Sequence, residues 1–259
     1  MYNTGLPWPL IVLISIIASF AGGLLMGLIY SFLTVTLKAN QNVTGLAMTT
    51  FGVGLTRFIM SKLGINAIRY LYALKFFRFP FSARTDALKY CGILAFLGIA
   101  VALVASYVLA KTRVGLHLRA VGENPGTADA AGINVTVYKY LSTCIGAGMV
   151  GLGGLYYVMD YTKGTWANDG TIEGLGWLAV ALVIFTTWKP VNTIWGAYLF
   201  GVLYWMNYYL PGLTRYSQEL FKMLPYLITI VVLIITSLRK KKENQPPASL
   251  GLSYFREER

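Results

Sequence analysis

The sequence predicts an all-α fold, a polytopic transmembrane helix bundle of about seven spans. Of its 259 residues, 56% are hydrophobic and only 12% are charged, far from the balance of a soluble globular domain. The charged residues fall into short intervals, and the apolar runs between them approach the ~20 residues that a helix needs to cross a ~30 Å hydrocarbon layer. We therefore expect the chain to lie in a lipid bilayer.

Seven apolar runs give the predicted spans in chain order. They lie near Leu10–Phe32, Val43–Met60, Ala87–Ala110, Val137–Met159, Leu175–Trp188, Val191–Leu210 and Phe221–Leu238. The second run is rich in threonine and glycine, so we expect it to be broken or to face a polar cavity. The fifth is short for a full crossing unless neighbouring helices bury its entry. Met1 is not followed by a signal-peptide pattern, so the first run is expected to be a retained span.

Basic residues give the predicted orientation. The run Arg239–Lys242 places the end of the last span inside the cell, which puts the interval 111–135 inside and Met1 outside. Residues 1–238 then form the transmembrane domain and 239–259 a cytoplasmic tail. The net charge of +12 indicates membrane anchoring rather than nucleic-acid binding, because the basic residues cluster at span ends. The basic, aromatic interval 61–84 argues against this orientation, and we interpret it as a segment lying on the headgroups, or alternatively as a docking site for an external partner.

The positions of the charged and nucleophilic residues disfavour several classes of protein. All ten acidic residues lie in loops, at span edges or in the tail, whereas ion-coupled carriers usually keep a carboxylate inside the membrane. There is no Ser/His/Asp set, no H-E-x-x-H for a hydrolase and no G-x-x-x-x-G-K-[ST] for ATP hydrolysis. Cys91, Cys144 and the single His117 lack the spacing of a metal site, and no disulfide is predicted.

Small and hydroxyl-bearing residues fill the span interiors. Gly23 and Gly27 form a G-x-x-x-G step, and Thr143, Ala147 and Gly151 recur on one face of the fourth span. Such faces let helices approach closely, so we favour static helix packing, with the lining of a path for a neutral polar solute as the alternative. The candidate path residues are Thr44, Thr49, Thr50, Phe51, Thr143, Gly151 and Thr186.

The most polar interval in the middle of the chain is "LRAVGENPGTADAAGINV". Asn124 suits a helix N-cap, Pro125 the first helical position and Gly132 the left-handed position after a helix. We therefore predict a capped helix of under two turns with a small surface formed by Ala128 and Ala131. A helix this short is unstable alone in water, so it is expected to be held as an interfacial turn or in a groove on another protein.

At these residues the sequence is similar to a known family. The stretch "GLHLRAVGENPGTADAAGINV" resembles the cytoplasmic loop of permease subunits of bacterial ABC importers, in the branch for ribose-like sugars, branched-chain amino acids and nucleosides. The stretches "LKANQNVTGLAMTTFG", "GLGWLAVALVIFTTWKP" and "WGAYLFG" and the tail "RKKKENQPPASLGLSYFREER" resemble nucleoside and simple-sugar permeases, so the similarity covers nearly the whole chain. Such permeases usually begin with a further stretch containing a "SGVxNIGxEG"-like segment, so we expect a truncated or shortened form.

The resemblance implies that the loop 111–135 carries a coupling helix that docks in a cleft of an ATP-hydrolysing subunit. The docking residues it implies are Gly115, Arg119, Gly122, Glu123, Asn124, Pro125, Ala128, Ala131 and Gly132. It also implies a multi-pass subunit of the cell membrane, with no enzymatic activity and no cofactor of its own. The implied partners are an ABC ATPase subunit, a second permease subunit and an extracellular substrate-binding lipoprotein.

The implied activity is ATP-driven import of a small polar solute by alternating access. A nucleoside is the first expectation for the solute, and a simple, ribose-like sugar is the second. A carrier or channel that works without ATP is the alternative from another class of protein.

Overall fold

Helices make up most of the structure. The computed structural model describes residues 8–73, 93–158, 171–209, 215–239 and 245–256. Within these ranges there are nine α-helices and no strand, which confirms the predicted all-α class. The helices are α1 (Trp8–Ser31), α2 (Gln41–Ala73), α3 (Ile93–Lys111), α4 (Arg113–Glu123), α5 (Pro125–Ala130), α6 (Val135–Tyr156), α7 (Thr171–Phe185), α8 (Pro190–Tyr209) and α9 (Arg215–Arg239), with a π-helical segment, Phe32–Thr36, after α1.

The described part of each predicted span lies mainly on one helix, namely α1, α2, α3, α6, α7, α8 or α9. Residues 87–92, 159 and 210 of these spans lie outside the described residues. Among the described residues, Val12–Thr36 and Leu94–Lys111 are long and apolar enough to cross a membrane, and Gly174–Phe185 and Met223–Ile235 are shorter apolar helices. Large side chains on α1 and α3, such as Ile17 and Val104, point outward. Apolar surface on this scale suits a lipid solvent. The count of seven crossings stays a prediction.

Helix α2 is continuous and longer than the span predicted within it. It runs from Gln41 to Ala73, so the first part of the basic, aromatic interval is helical. Residues 74–84 of that interval lie outside the described residues. The hydroxyl groups of Thr44, Thr49 and Thr56 donate to backbone carbonyls four residues earlier, at 2.8, 3.0 and 2.6 Å. Of the two expectations for this run, the break is therefore wrong, because α2 is unbroken, and a polar cavity beside it stays a prediction.

The structure forms two compact units. The first consists mainly of α1, α2, α5, α6 and the C-terminal residues from Ser249 onward. The second contains α7, α8 and α9 with most of α3.

In the first unit, α1 and α6 pack through their small faces. A Cβ atom on Gly23 would overlap the Ala147 carbonyl, and one on Gly151 would overlap the Ser19 carbonyl. The Ser19 hydroxyl donates to the Gly151 carbonyl at 2.6 Å. This confirms that the glycine and alanine faces serve close helix packing. Cys144 lies in the same helix pair as a buried, free thiol.

In the second unit, α7 and α8 are joined by a tight turn at Thr186. Thr187 and Trp188 have left-handed φ values of 52° and 61°. The Thr186 side chain is buried, and its hydroxyl donates to the Val183 carbonyl at 3.2 Å and lies 3.3 Å from the Thr193 hydroxyl. Thr186 is thus held inside the turn that reverses the chain.

Candidate functional site

Helix α5 is capped at both ends as the sequence predicts. The Asn124 side chain accepts a hydrogen bond from the Thr127 amide at 3.0 Å, and Pro125 occupies the first helical position. Gly132 has a φ of 82°, which a residue with a side chain rarely adopts. The Ile133 amide donates to the Ala128 carbonyl at 3.0 Å. The predicted capped helix of under two turns is therefore confirmed.

Gly115 fixes the sharp connection between α3 and α4. The Gly115 amide donates to the Thr112 hydroxyl at 3.2 Å, which caps the start of α4. A Cβ atom on Gly115 would overlap the Val108 carbonyl and approach the Leu109 Cα to 2.6 Å. Gly115 is buried in this close approach. Gly115 therefore allows the first turn of α4 to pack closely against the end of α3.

The end of α4 takes hydrogen-bond donors from the C-terminal segment. The Val121 carbonyl would normally accept from the amide four residues later, but that residue is Pro125, which has no N–H. The Ser249 hydroxyl lies 3.3 Å from the Val121 carbonyl and also contacts the Gly122 carbonyl. The Ser249 amide donates to the Gly122 carbonyl at 3.0 Å. A residue distant in sequence thus caps α4.

A small apolar core joins the three helices of the loop. Val121 of α4, Ala128 of α5 and Val135 of α6 are each 3% exposed, and Tyr138 and Tyr254 pack around them. Ala128 is therefore part of the core, which corrects the expectation that it shares an outer surface with Ala131. The physical reason is that α5 must bury one face to remain folded.

His117 has a partner that its sequence neighbours do not supply. Its Nδ1 atom lies 2.8 Å from the Tyr138 hydroxyl, and the two rings meet edge to face with centroids 5.7 Å apart. This contact joins α4 to α6 beside the apolar core. The loop is consequently braced by polar as well as apolar contacts.

The remaining loop residues present an outward surface, which we call the docking face. Pro125 and Gly122 are half-buried at its edge. The exposed members of the docking face are Arg119, Glu123, Asn124, Thr127, Ala131 and Gly132. The structure thus keeps most of the expected docking residues accessible, while Ala128 lies in the core beneath them and Gly115 is buried at the start of α4.

Comparison with known proteins identifies the family. The family model described as branched-chain amino acid transport system / permease component matches residues 1–233. The chain belongs to this permease family. No solved structure gives a significant match to the chain.

Three curated relatives of this permease are similar over most of their lengths. A putative glucose ABC transporter permease protein of Haloferax volcanii is 32% identical, across 92% of this chain and 79% of the relative. The nucleoside ABC transporter permease protein NupC of Lactococcus lactis is 31% identical, across 91% of this chain and 75% of the relative. The guanosine ABC transporter permease protein NupQ of Bacillus subtilis is 30% identical, across 88% of this chain and 72% of the relative. The relatives are transporter subunits rather than enzymes, which agrees with a membrane protein that works with an ATPase and a substrate-binding protein.

The candidate path residues of the permease occupy different environments. Thr49, Thr50 and Phe51 are exposed together on α2. Thr44 is buried at the start of α2, and Gly151 lies against α1. Two further candidates are constrained by bonds within the chain, since the Thr143 hydroxyl donates to the Lys139 carbonyl at 2.9 Å and Thr186 is held in the α7–α8 turn. Lining of a path by these residues stays a prediction.

Replacing Asn124 tests whether the cap stabilises the loop of the permease. We expect Asn124→Ala to destabilise α5 by about 1 kcal/mol, because the Thr127 amide loses its acceptor. Asn124→Asp keeps an acceptor oxygen and should stay close to the wild type. Hydrogen exchange of the α5 amides measures the difference, and equal exchange in the two variants would contradict the capping role.

Proposed function

We propose that this permease is the membrane-spanning subunit of an ATP-driven importer and that its loop 111–135 couples it to an ABC ATPase subunit. The observation that supports this most strongly is the construction of α5, a short helix held by two caps and a buried core beneath an exposed docking face. An element that transmits force between proteins needs such support, because a free helix of this length would unfold instead.

The side chains of the docking face suit entry into a cleft. Ala131 and Gly132 are small, so the backbone of α5 can approach a partner closely. Glu123 and Arg119 lie on the same loop and offer charges of both signs for orienting the complex. In this mechanism, ATP binding closes the paired ATPase subunits, α5 moves with its cleft, and the bundle reopens on the other side of the membrane.

The contact between the loop and the C-terminal segment supports the proposed orientation. Ser249 touches the end of α4, which supports a topology with both segments on the same side of the membrane. An even number of crossings must then separate them, and four predicted spans lie between, on α6, α7, α8 and α9. With the basic run after α9 inside the cell, the loop also faces the cytoplasm, where an ATPase subunit finds ATP.

The proposed solute is a nucleoside, and the proposed route is alternating access through a pore formed with a second permease subunit. Helices α1, α2, α3 and α6 contain no acidic residue, which favours a neutral molecule over a cation. The exposed Phe51 ring can stack on a base, and the neighbouring Thr49 and Thr50 hydroxyls keep free lone pairs for its polar groups. The names of NupC and NupQ favour this solute, while the Haloferax relative supports a simple sugar as the second candidate.

Reconstitution distinguishes the two solutes. The permease is placed in proteoliposomes with a cognate ATPase subunit and a cognate binding lipoprotein. Uptake of radiolabelled guanosine and of radiolabelled glucose is measured with ATP on the side of the membrane that holds the ATPase subunit. We expect guanosine uptake that unlabelled nucleosides inhibit and glucose does not. Glucose uptake that unlabelled nucleosides do not inhibit would show that the solute is a simple sugar and not a nucleoside.

A further inference from the structure

The C-terminal residues Ser249–Arg256, which we call the C-terminal clasp, hold the loop at several points. We propose that the clasp positions α5 and that Tyr254 and Asp129 are positioning residues for coupling. The claim that Tyr254 and Asp129 affect coupling rests on the proposed function. The claim that the clasp keeps α5 ordered does not. The clasp is more than 100 residues distant in sequence from the helix it holds, as the contact between Tyr254 and Asp129 shows.

The first anchor of the clasp is Ser249 at the end of α4. The Ser249 hydroxyl lies 3.3 Å from the Val121 carbonyl, whose helical donor position is occupied by Pro125, and the Ser249 amide donates to the Gly122 carbonyl at the end of α4. Buried carbonyls without donors are costly, so this anchor stabilises the α4–α5 junction.

The second anchor is the side chain of Asp129, on the last turn of α5. The Tyr254 hydroxyl donates to Asp129 Oδ2 at 3.0 Å, and Arg256 Nε donates to the same oxygen at 3.2 Å. The Tyr254 ring also covers the core formed by Val121, Ala128 and Val135. One residue of the clasp therefore holds α5 by a polar contact and by an apolar contact at once.

The third anchor joins the clasp to the chain between α1 and α2 and to the start of α6. The Lys38 ammonium lies 4.3 Å from the Phe255 ring centroid. The Leu252 carbonyl accepts from Gln41 and Lys139 at 3.4 Å each. The clasp thereby links α5 to two longer helices. A cavity of about 520 Å³ lies among these contacts, with Tyr254 and Arg256 on its wall.

The solvent exposure of the side chains indicates which of these contacts contributes most to the order of α5. The Arg256 side chain is 77% exposed, so its ion pair with Asp129 is weakened by water and screened by salt. The hydrogen bonds of 3.4 Å are long. The Asp129 side chain is only 14% exposed, and its bond from half-buried Tyr254 is charge-assisted. Tyr254 is therefore expected to contribute more to the order of α5 than Arg256 does.

The test compares Tyr254→Phe with Leu250→Ala in the permease in lipid nanodiscs. Phenylalanine keeps the ring over the core and removes only the hydroxyl, so the variant should fold. Leu250 is an exposed clasp residue and provides the control. We expect the α5 amides to exchange about tenfold faster in Tyr254→Phe, as for loss of a hydrogen bond to a charged group, and at the wild-type rate in Leu250→Ala.

Two further measurements, the salt dependence of α5 exchange and the affinity for the ATPase subunit, test separately whether the clasp orders α5 and whether that order matters for coupling. Arg256→Gln should accelerate exchange at low salt and match the wild type at about 1 M salt, where the Debye length is ~3 Å, whereas the effect of Tyr254→Phe should persist. At a temperature where exchange shows α5 to be open in a substantial fraction of molecules, binding of the ATPase subunit to Tyr254→Phe should weaken by the factor by which the ordered fraction of α5 falls, because only the ordered fraction binds.

Each outcome bears on one claim. Unchanged α5 exchange in Tyr254→Phe would overturn the clasp. A lower ordered fraction of α5 with undiminished ATPase binding would overturn the positioning role. If the wild-type permease bound no ATPase subunit, the proposed function would fail, and the exchange rates alone would still decide whether the clasp orders α5.

Discussion

Replacing Ala131 by tryptophan is expected to weaken binding of the ATPase subunit about 100-fold and thereby to suppress ATP-driven uptake. Ala131 is exposed on the docking face, at the end of the capped helix. An indole at this position adds bulk where the permease must approach a cleft, and a clash of a few kcal/mol corresponds to about 100-fold weaker binding. The side chain points away from the buried core, so membrane insertion and solubility should be retained.

Ala131→Ser is the matched control, since it changes the polarity of the same position with little change in size. Binding is measured by titrating the purified ATPase subunit onto the permease in nanodiscs. Glu123→Lys, which reverses an exposed charge beside the helix, should weaken the same binding in a salt-dependent way. Normal ATPase binding and uptake in both Ala131→Trp and Glu123→Lys would show that the coupling assignment is wrong.

The second large effect concerns the packing of α1 on α6. Gly151→Ala is expected to destabilise the permease by about 1–3 kcal/mol, because the added Cβ atom would overlap the Ser19 carbonyl and force the helices apart. Gly146→Ala makes the same chemical change in the same helix, where a Cβ atom meets no atom within 4 Å. That control should be neutral or slightly stabilising, since alanine favours helix over glycine.

Thermal unfolding of the detergent-solubilised variants, followed by the loss of helical circular dichroism, measures this difference. The prediction is a lower midpoint for Gly151→Ala than for Gly146→Ala. Equal midpoints would mean that the close approach of the two helices does not contribute to stability.

Local sequence was sufficient to predict the ends of α5. Asn124, Pro125 and Gly132 act through their own backbone and nearest neighbours, so their roles follow from residue type and order. The small faces of α1 and α6 were likewise predictable as packing surfaces, because glycine at helical spacing has few other uses. The structure was needed to show that the small face of α1 packs on the small face of α6.

Contacts between distant segments could not be predicted from the sequence. Ala128 looked like an outer residue because its neighbours in space, Val121, Val135 and Tyr254, come from three other segments. The C-terminal residues looked like a polar tail, since nothing in Ser249 or Tyr254 alone indicates a partner on α4 or α5. The glycines and threonines of α2 are compatible with either a break or a polar cavity, and the structure rules out only the break, with hydroxyls such as those of Thr44 and Thr49 bonded to carbonyls four residues earlier.

The central claim is that transport is driven by an ATPase acting through the loop. The most direct measurement is guanosine uptake into proteoliposomes that hold the permease, the ATPase subunit and the binding lipoprotein, with ATP, with a non-hydrolysable analogue, or with an imposed proton or sodium gradient alone. We predict uptake only with hydrolysable ATP, and its suppression in Ala131→Trp. Uptake driven by the ion gradient, without nucleotide and without the ATPase subunit, would contradict the account.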